Sequence, residues 1–196
     1  LAAMEGLYEG QTGAGLVAIG VLNPDKTLEN DEKPFHFRIA FPKLLSILAE
    51  RDAEAFVPGM KDLVYGNQQY GIPPTKEKMK QGEKAIQAIK NYKAAKEDQD
   101  DSLANAHLKT FNRHYHHMGY GFFEDPEEVV PPIALTFYSF HVMVALGFLF
   151  VLLFILVLWN NLNDTILQKR WLLRTAVWFI PLGSLASMLG WVVSEV

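Results

Sequence analysis

Residues 132–159 read PIALTFYSFHVMVALGFLFVLLFILVLW, and residues 175–193 read TAVWFIPLGSLASMLGWVV. A hydrocarbon core of about 30 Å takes roughly 20 apolar residues in a helix, and each run meets that length. Helices satisfy their own backbone hydrogen bonds inside lipid, so the pair reads as a transmembrane hairpin. Ionisable groups are costly at that depth and mark functional positions by default. His141, Met143 and Glu195 therefore stand out at once.

The composition, 49% hydrophobic and 20% charged with a net charge of -4, averages two unlike parts, because nearly all the charge lies before residue 131. The loop between the runs carries Lys169, Arg170 and Arg174 against Asp164, whereas Glu124, Asp125, Glu127 and Glu128 precede the first run. Positive loops stay in the cytoplasm. The expected order is an extracytoplasmic region over residues 1–130, a transmembrane helix over 131–160, a cytoplasmic loop over 161–174 and a second transmembrane helix over 175–196. The fold class is mainly α: a membrane helical bundle fragment of two transmembrane helices, preceded by a mixed α/β extracytoplasmic loop domain. The chain opens at Leu1 without an initiator Met and stops at Val196 directly after the second run, so we expect an internal piece of a longer polypeptide.

No cysteine is present, which excludes disulfides, thiolate metal sites and cysteine nucleophiles. Histidine, carboxylate and thioether remain as possible metal ligands.

In the first region Leu16 to Leu22 is apolar and partly β-branched, Asn23-Pro24-Asp25 signals a turn, and Phe35, Phe37, Ile39 and Phe41 alternate with other residues. Two short strands are expected. Pro42 opens a short helix from Lys43 to Glu50, and Gly66 to Pro74 is expected to be loop. A lysine-rich helix follows from Thr75 to Glu97, then another from Ser102 to about Met118. The lysines between 76 and 96 alternate with Glu77, Glu83 and Glu97, which makes a solvated face and argues against nucleic acid. His107, His114, His116 and His117 are potential metal ligands, but no second ligand pair stands at zinc-motif spacing.

At 100° per residue, His141 and Met143 project about 200° apart and cannot face one partner. Met143 shares a stripe with Thr136, Ser139, Phe140, Gly147 and Phe150. Such a stripe leaves room for a flat apolar group beside a soft sulfur, as in a haem with an axial methionine; the alternative is a methionine filling a gap between helices. In the second run Gly183, Ser187, Gly190 and Ser194 form a small-residue stripe for close helix approach, and Pro181 is expected to kink the helix. Beside it Trp191 and Glu195 stack one turn apart, a carboxylate that is a metal ligand, a proton relay or an interfacial anchor.

The run Phe137-Tyr138-Ser139-Phe140-His141-Val142-Met143-Val144-Ala145, then Lys169-Arg170-Trp171-Leu172-Leu173, Ile180-Pro181-Leu182 and Gly190-Trp191-Val192-Val193-Ser194-Glu195, resembles subunit I of the cytochrome bd quinol oxidases in order and spacing. Leu1-Ala2-Ala3-Met4-Glu5 resembles the start of that family's quinol-binding loop, and Gly119-Tyr120-Gly121 a motif near the loop's end. The resemblance spans essentially the whole chain, more loosely from Asn23 to Met118. It implies that Met143 is the axial ligand of a low-spin haem b whose histidine partner lies upstream of Leu1. It implies that Glu195 is a metal ligand at the oxygen-reducing site of high-spin haem b and haem d, with Trp191 beside it, and that Glu5 serves catalysis in quinol oxidation. His141 stands where better-known members carry an arginine held to stabilise the low-spin haem; a histidine there can still donate to a propionate. A lysine just before Leu1 and a Gly-Arg-Gln-Pro-Trp continuation after Val196 are expected.

The resemblance further implies quinol, either ubiquinol or menaquinol, as substrate, dioxygen as electron acceptor, a second oxidase subunit, and a place in the bacterial cytoplasmic membrane. Electrons would pass from quinol at the outer face through the haems to dioxygen, building a membrane potential. The competing readings are a membrane-anchored sensor module with a non-catalytic hairpin and a proton-coupled transporter using Glu195.

Overall fold

The computed structural model describes residues 1–195; Val196, the end of the expected second span, lies outside the described residues. The elements run β1 (Gln11–Thr12), β2 (Leu16–Leu22), β3 (Phe35–Phe41), α1 (Leu44–Glu50), β4 (Phe56–Val57), α2 (Met60–Tyr65), α3 (Thr75–Glu97), α4 (Asp101–His114), α5 (Ile133–Leu162) and α6 (Arg170–Glu195). Short 3-10 turns join them, the longest over Tyr115–Phe122.

The strands expected from alternation are β2 and β3, an antiparallel ribbon paired from Leu16 with Phe41 to Leu22 with Phe35. Its faces are the reverse of what hydrophobicity alone suggests. Phe35 and Ala40 turn toward α5 with Val17 and Leu22, while Ile19, Val21, Phe37, Ile39 and Phe41 lie on the exposed face. A two-residue ladder pairs β1 with β4.

The first core gathers Ala2, Ala3, Leu7, Tyr8, Ala14, Leu45, Val57, Met60 and Val64. Asp62 ties its parts together, since Oδ2 accepts from Gly10 N–H at 2.7 Å and Gly59 N–H at 2.9 Å. The Gly59 N–H lies at the start of α2 and the Gly10 N–H just before β1, where the backbone has no regular partner.

α3 and α4 form an antiparallel pair, with Asp100 capping α4 through the Leu103 N–H at 2.9 Å. Small residues, Ala85, Ala88 and Ala95 of α3 and Ala104 of α4, are buried in this arm, with the isoleucines half-buried beside them. The expected second helix ends earlier than Met118, at His114, and continues as the 3-10 turn, which folds back over α3. Gly82 and Gly121 meet backbone to backbone there, so a methyl on either would strike the other's main chain. This close approach explains Gly121, whereas Gly119 has open space around it.

α5 and α6 lie side by side and are long and apolar enough to cross a membrane. At 1.5 Å per residue the 30-residue α5 reaches about 45 Å and the 26-residue α6 about 39 Å. Pro181 is accommodated inside a continuous α6. Phe148, Phe154, Trp159 and Trp178 are all exposed, so the hairpin leaves a wide apolar surface uncovered by the rest of the chain.

Candidate functional site

The opening segment is a compact coil in which Glu5 N–H donates to Leu1 O and Leu7 N–H to Ala2 O. Ala2, Ala3, Leu7 and Tyr8 all enter the core, and the coil carries Glu5 in with them. Gly6 makes this possible. It sits at φ +60, in the left-handed region, with the Phe35 ring 2.8 Å from where a Cβ would be.

Glu5 is 2% exposed. Its Oε2 accepts the Val17 N–H at 2.9 Å, and Oε1 is buried without a partner. Burial pushes the carboxyl above its ordinary value of 4.5, opposed by the Val17 hydrogen bond and then by the nearby His141.

The far edge of β2, away from β3, is closed by side chains. In an extended strand a residue's N–H and C=O point to the same edge. Glu5 takes the Val17 N–H, His141 Nε2 lies 2.9 Å from the Val17 O, and the Leu22 N–H donates to Tyr138 Oη at 3.1 Å. Tyr138 and His141 both come from the first turns of α5. Phe137 fills the space between them: it is fully buried, 5.6 Å from the Phe35 ring and 4.0 Å from the His141 ring. The second ring nitrogen of His141, Nδ1, lies 2.9 Å from Phe137 O one turn back. Both nitrogens of His141 therefore face main-chain carbonyls, and a neutral imidazole donates to one of them.

Two residues further along α5, Met143 turns toward α6, with its sulfur 3.0 Å from the point where a Cβ on Gly190 would stand. One turn below Met143, Gly147 has nothing within 4 Å of its Cβ position. Phe150 continues the seam against Gly183 and the Phe179 ring. A half-buried thioether beside an open glycine surface suits one face of a flat macrocycle, and the residues present fit a haem to that extent. Trp191 and Glu195 occupy a different, exposed side of α6, Trp191 being 66% exposed. Met143 and Glu195 do not converge. Among the described residues no three His, Asp or Glu side chains gather in a metal-sized group, the histidines from 107 to 117 included.

Sequence reasoning named Glu5, His141 and Met143 but missed Val17 and Tyr138. Val17 acts through its main chain, which leaves no mark in a sequence; Tyr138 carried a signal, a phenol directly before Ser139 at the outer end of an apolar helix. A cleft of about 600 Å³ opens beyond Gly6, walled by Tyr8, Lys26, Lys33, Phe35 and Arg38 among others; Glu5 is not part of its wall.

Over its full length the chain is 28% identical to the cytochrome bd-II ubiquinol oxidase subunit 1 of Escherichia coli (strain K12), of which it covers 38%. It is 32% identical over 69 residues to the cytochrome bd ubiquinol oxidase subunit 1 of Bacillus subtilis (strain 168), covering 35% of this chain and 15% of that protein. The chain thus spans well under half the length of these relatives. Residues 1–196 match the family described as cytochrome bd terminal oxidase subunit I, and the chain belongs to that family.

Proposed function

We propose that this chain is the quinol-oxidising portion of a respiratory terminal oxidase, with residues 1–130 on the outer face of a bacterial cytoplasmic membrane and α5 and α6 crossing it. The sidedness rests on Lys169, just before α6, and on Arg170 and Arg174 in its first turns, at the end of the hairpin where α5 connects to α6. The observation that carries the reading is that a buried, half-satisfied carboxylate, Glu5, and His141 of the helix that holds Met143 grip the same strand residue, Val17.

Quinol gives up two protons as it is oxidised. Glu5 takes one of them: its carboxylate is desolvated, holds one oxygen on Val17 and keeps the other free, and burial moves its proton affinity toward the working range of a general base. The packed segment around Ala2, Leu7 and Phe137 excludes water from that transfer. Met143 would supply a thioether to a low-spin haem b, and Glu195 with Trp191 would serve the site of the high-spin haem b and haem d. When bound, these haems carry the electrons from quinol to dioxygen. Ubiquinol or menaquinol, dioxygen and a second oxidase subunit are the partners.

The test uses the full-length oxidase. Met143→Leu should abolish the low-spin b-type band in reduced-minus-oxidised spectra, and Glu5→Gln should depress quinol oxidation by roughly 10²-fold or more, the usual contribution of a general base. A parent protein without haem, or an unchanged band in Met143→Leu, refutes the assignment.

A further inference from the structure

We infer that His141 is a positioning residue for Glu5, acting through the main chain of Val17 to fix the outer segment's carboxylate to the helix that carries Met143. This rests on the reading of Glu5 as the proton acceptor. The chain of contacts is short: His141 Nε2 to Val17 O at 2.9 Å, and Val17 N–H to Glu5 Oε2 at 2.9 Å. The tautomer with a proton on Nε2 donates to the strand. Each link is itself immobilised. The imidazole lies over the Phe137 ring with Phe140 edge-on at 5.6 Å, and these two rings fix its plane. Val17 is 6% exposed and packed with Leu22 and Phe137.

Neither partner has a substitute nearby. With Oε1 of Glu5 unpartnered, the Val17 N–H is the only hydrogen bond the carboxylate makes among the described residues, so the strand's position sets its direction. The strand's position at Val17 is in turn set on this edge by His141 alone, since Tyr138 grips five residues further on, at Leu22. A group that must meet a reacting atom within a few tenths of an ångström loses rate steeply when its support loosens. His141 touches neither quinol nor the reacting proton, so the loss should appear in kcat with KM little changed.

The experiment uses assembled full-length oxidase and four variants. The Glu5 carboxyl stretch is assigned in infrared difference spectra by its loss in Glu5→Gln. His141→Leu should shift that band and lower kcat by roughly 10- to 100-fold. His141→Gln, which keeps a donor of similar reach, should restore both. Tyr138→Phe loosens the same strand edge without touching Val17 and should leave the band in place, which separates positioning from general stability. Should His141→Leu fail to assemble, His141→Asn, too short to reach Val17, takes its place. A band and kcat at parent values in the Leu or Asn variant overturn the inference, as does an equal shift in Tyr138→Phe. If Glu5→Gln turns over normally, the reading of Glu5 fails instead, and the band still decides whether His141 holds it.

Discussion

Three glycines of the hairpin make a graded test of how α5 and α6 meet. Gly190→Ala places a methyl 3.0 Å from the Met143 sulfur, closer than ordinary carbon contacts, so the sulfur must retreat by a few tenths of an ångström. Overpacking of this kind costs about 1–3 kcal/mol, against which alanine recovers roughly 0.5–1 kcal/mol as the better helix former. Gly183→Ala instead brings its methyl 3.6 Å from the Phe150 ring, an ordinary contact, and should be neutral or slightly stabilising. Gly147→Ala meets nothing within 4 Å in the hairpin. It should leave helix packing alone and disturb only a group bound on the Met143 stripe. The assay is thermal unfolding of the purified full-length oxidase together with its reduced-minus-oxidised spectrum. Gly190→Ala should lower the unfolding temperature and alter the low-spin band; Gly183→Ala should do neither; Gly147→Ala should alter the band alone. A normal spectrum in both Gly190→Ala and Gly147→Ala refutes the placement of Met143 at a haem face, and equal destabilisation by Gly183→Ala refutes the seam.

The raised proton affinity of Glu5 means that the folded chain holds this proton more tightly than the unfolded chain does, so stability falls as pH rises from about 4.5 through the folded value. Glu5→Gln should flatten that slope, read from unfolding temperatures across the pH range; a parent whose stability rises there contradicts the burial of the carboxyl. Tyr65 donates its hydroxyl to Glu127 on the surface, and this contact pushes the phenol up to about 12. Ultraviolet titration should find one fewer late-ionising tyrosine in Glu127→Gln than in the parent, Tyr8 staying raised by its burial, with little change in stability because the Tyr65–Glu127 pair is exposed. Gly82→Ala drives a methyl into the main chain of His117 and Gly121. It should destabilise the α3–α4 arm by about 1–3 kcal/mol while leaving quinol oxidation near normal, measured by local hydrogen exchange beside turnover.

The hairpin was legible because apolar length is a coarse signal that tertiary contacts do not alter, and β2 and β3 because alternation flanks a clear Asn23-Pro24 turn. β1, β4 and α2 were not legible: elements of two to six residues owe their shape to Asp62 and to the core around Val57 and Met60, which arrive from elsewhere in the chain. The outward turn of Phe37, Ile39 and Phe41 was hidden for a related reason, since the inner face of β3 is chosen by Phe137, about a hundred residues later. For the site, ionisable and thioether groups inside apolar helices pointed to His141 and Met143, and the family resemblance supplied Glu5. Their connection runs through the backbone of Val17, and no residue type announces that.

Closing the edge of β2 with α5 also sets an order of events during synthesis. The grips on Val17 and Leu22 come from residues 124 and 116 positions downstream. Until the first apolar helix has left the ribosome, the ribbon carries a bare strand edge beside an uncovered row of Ile19, Val21 and Phe37. Such an edge is a template for a foreign strand. The nascent chain is therefore most vulnerable between the making of β3 and the arrival of α5, and the α3–α4 arm encoded between them lengthens that interval.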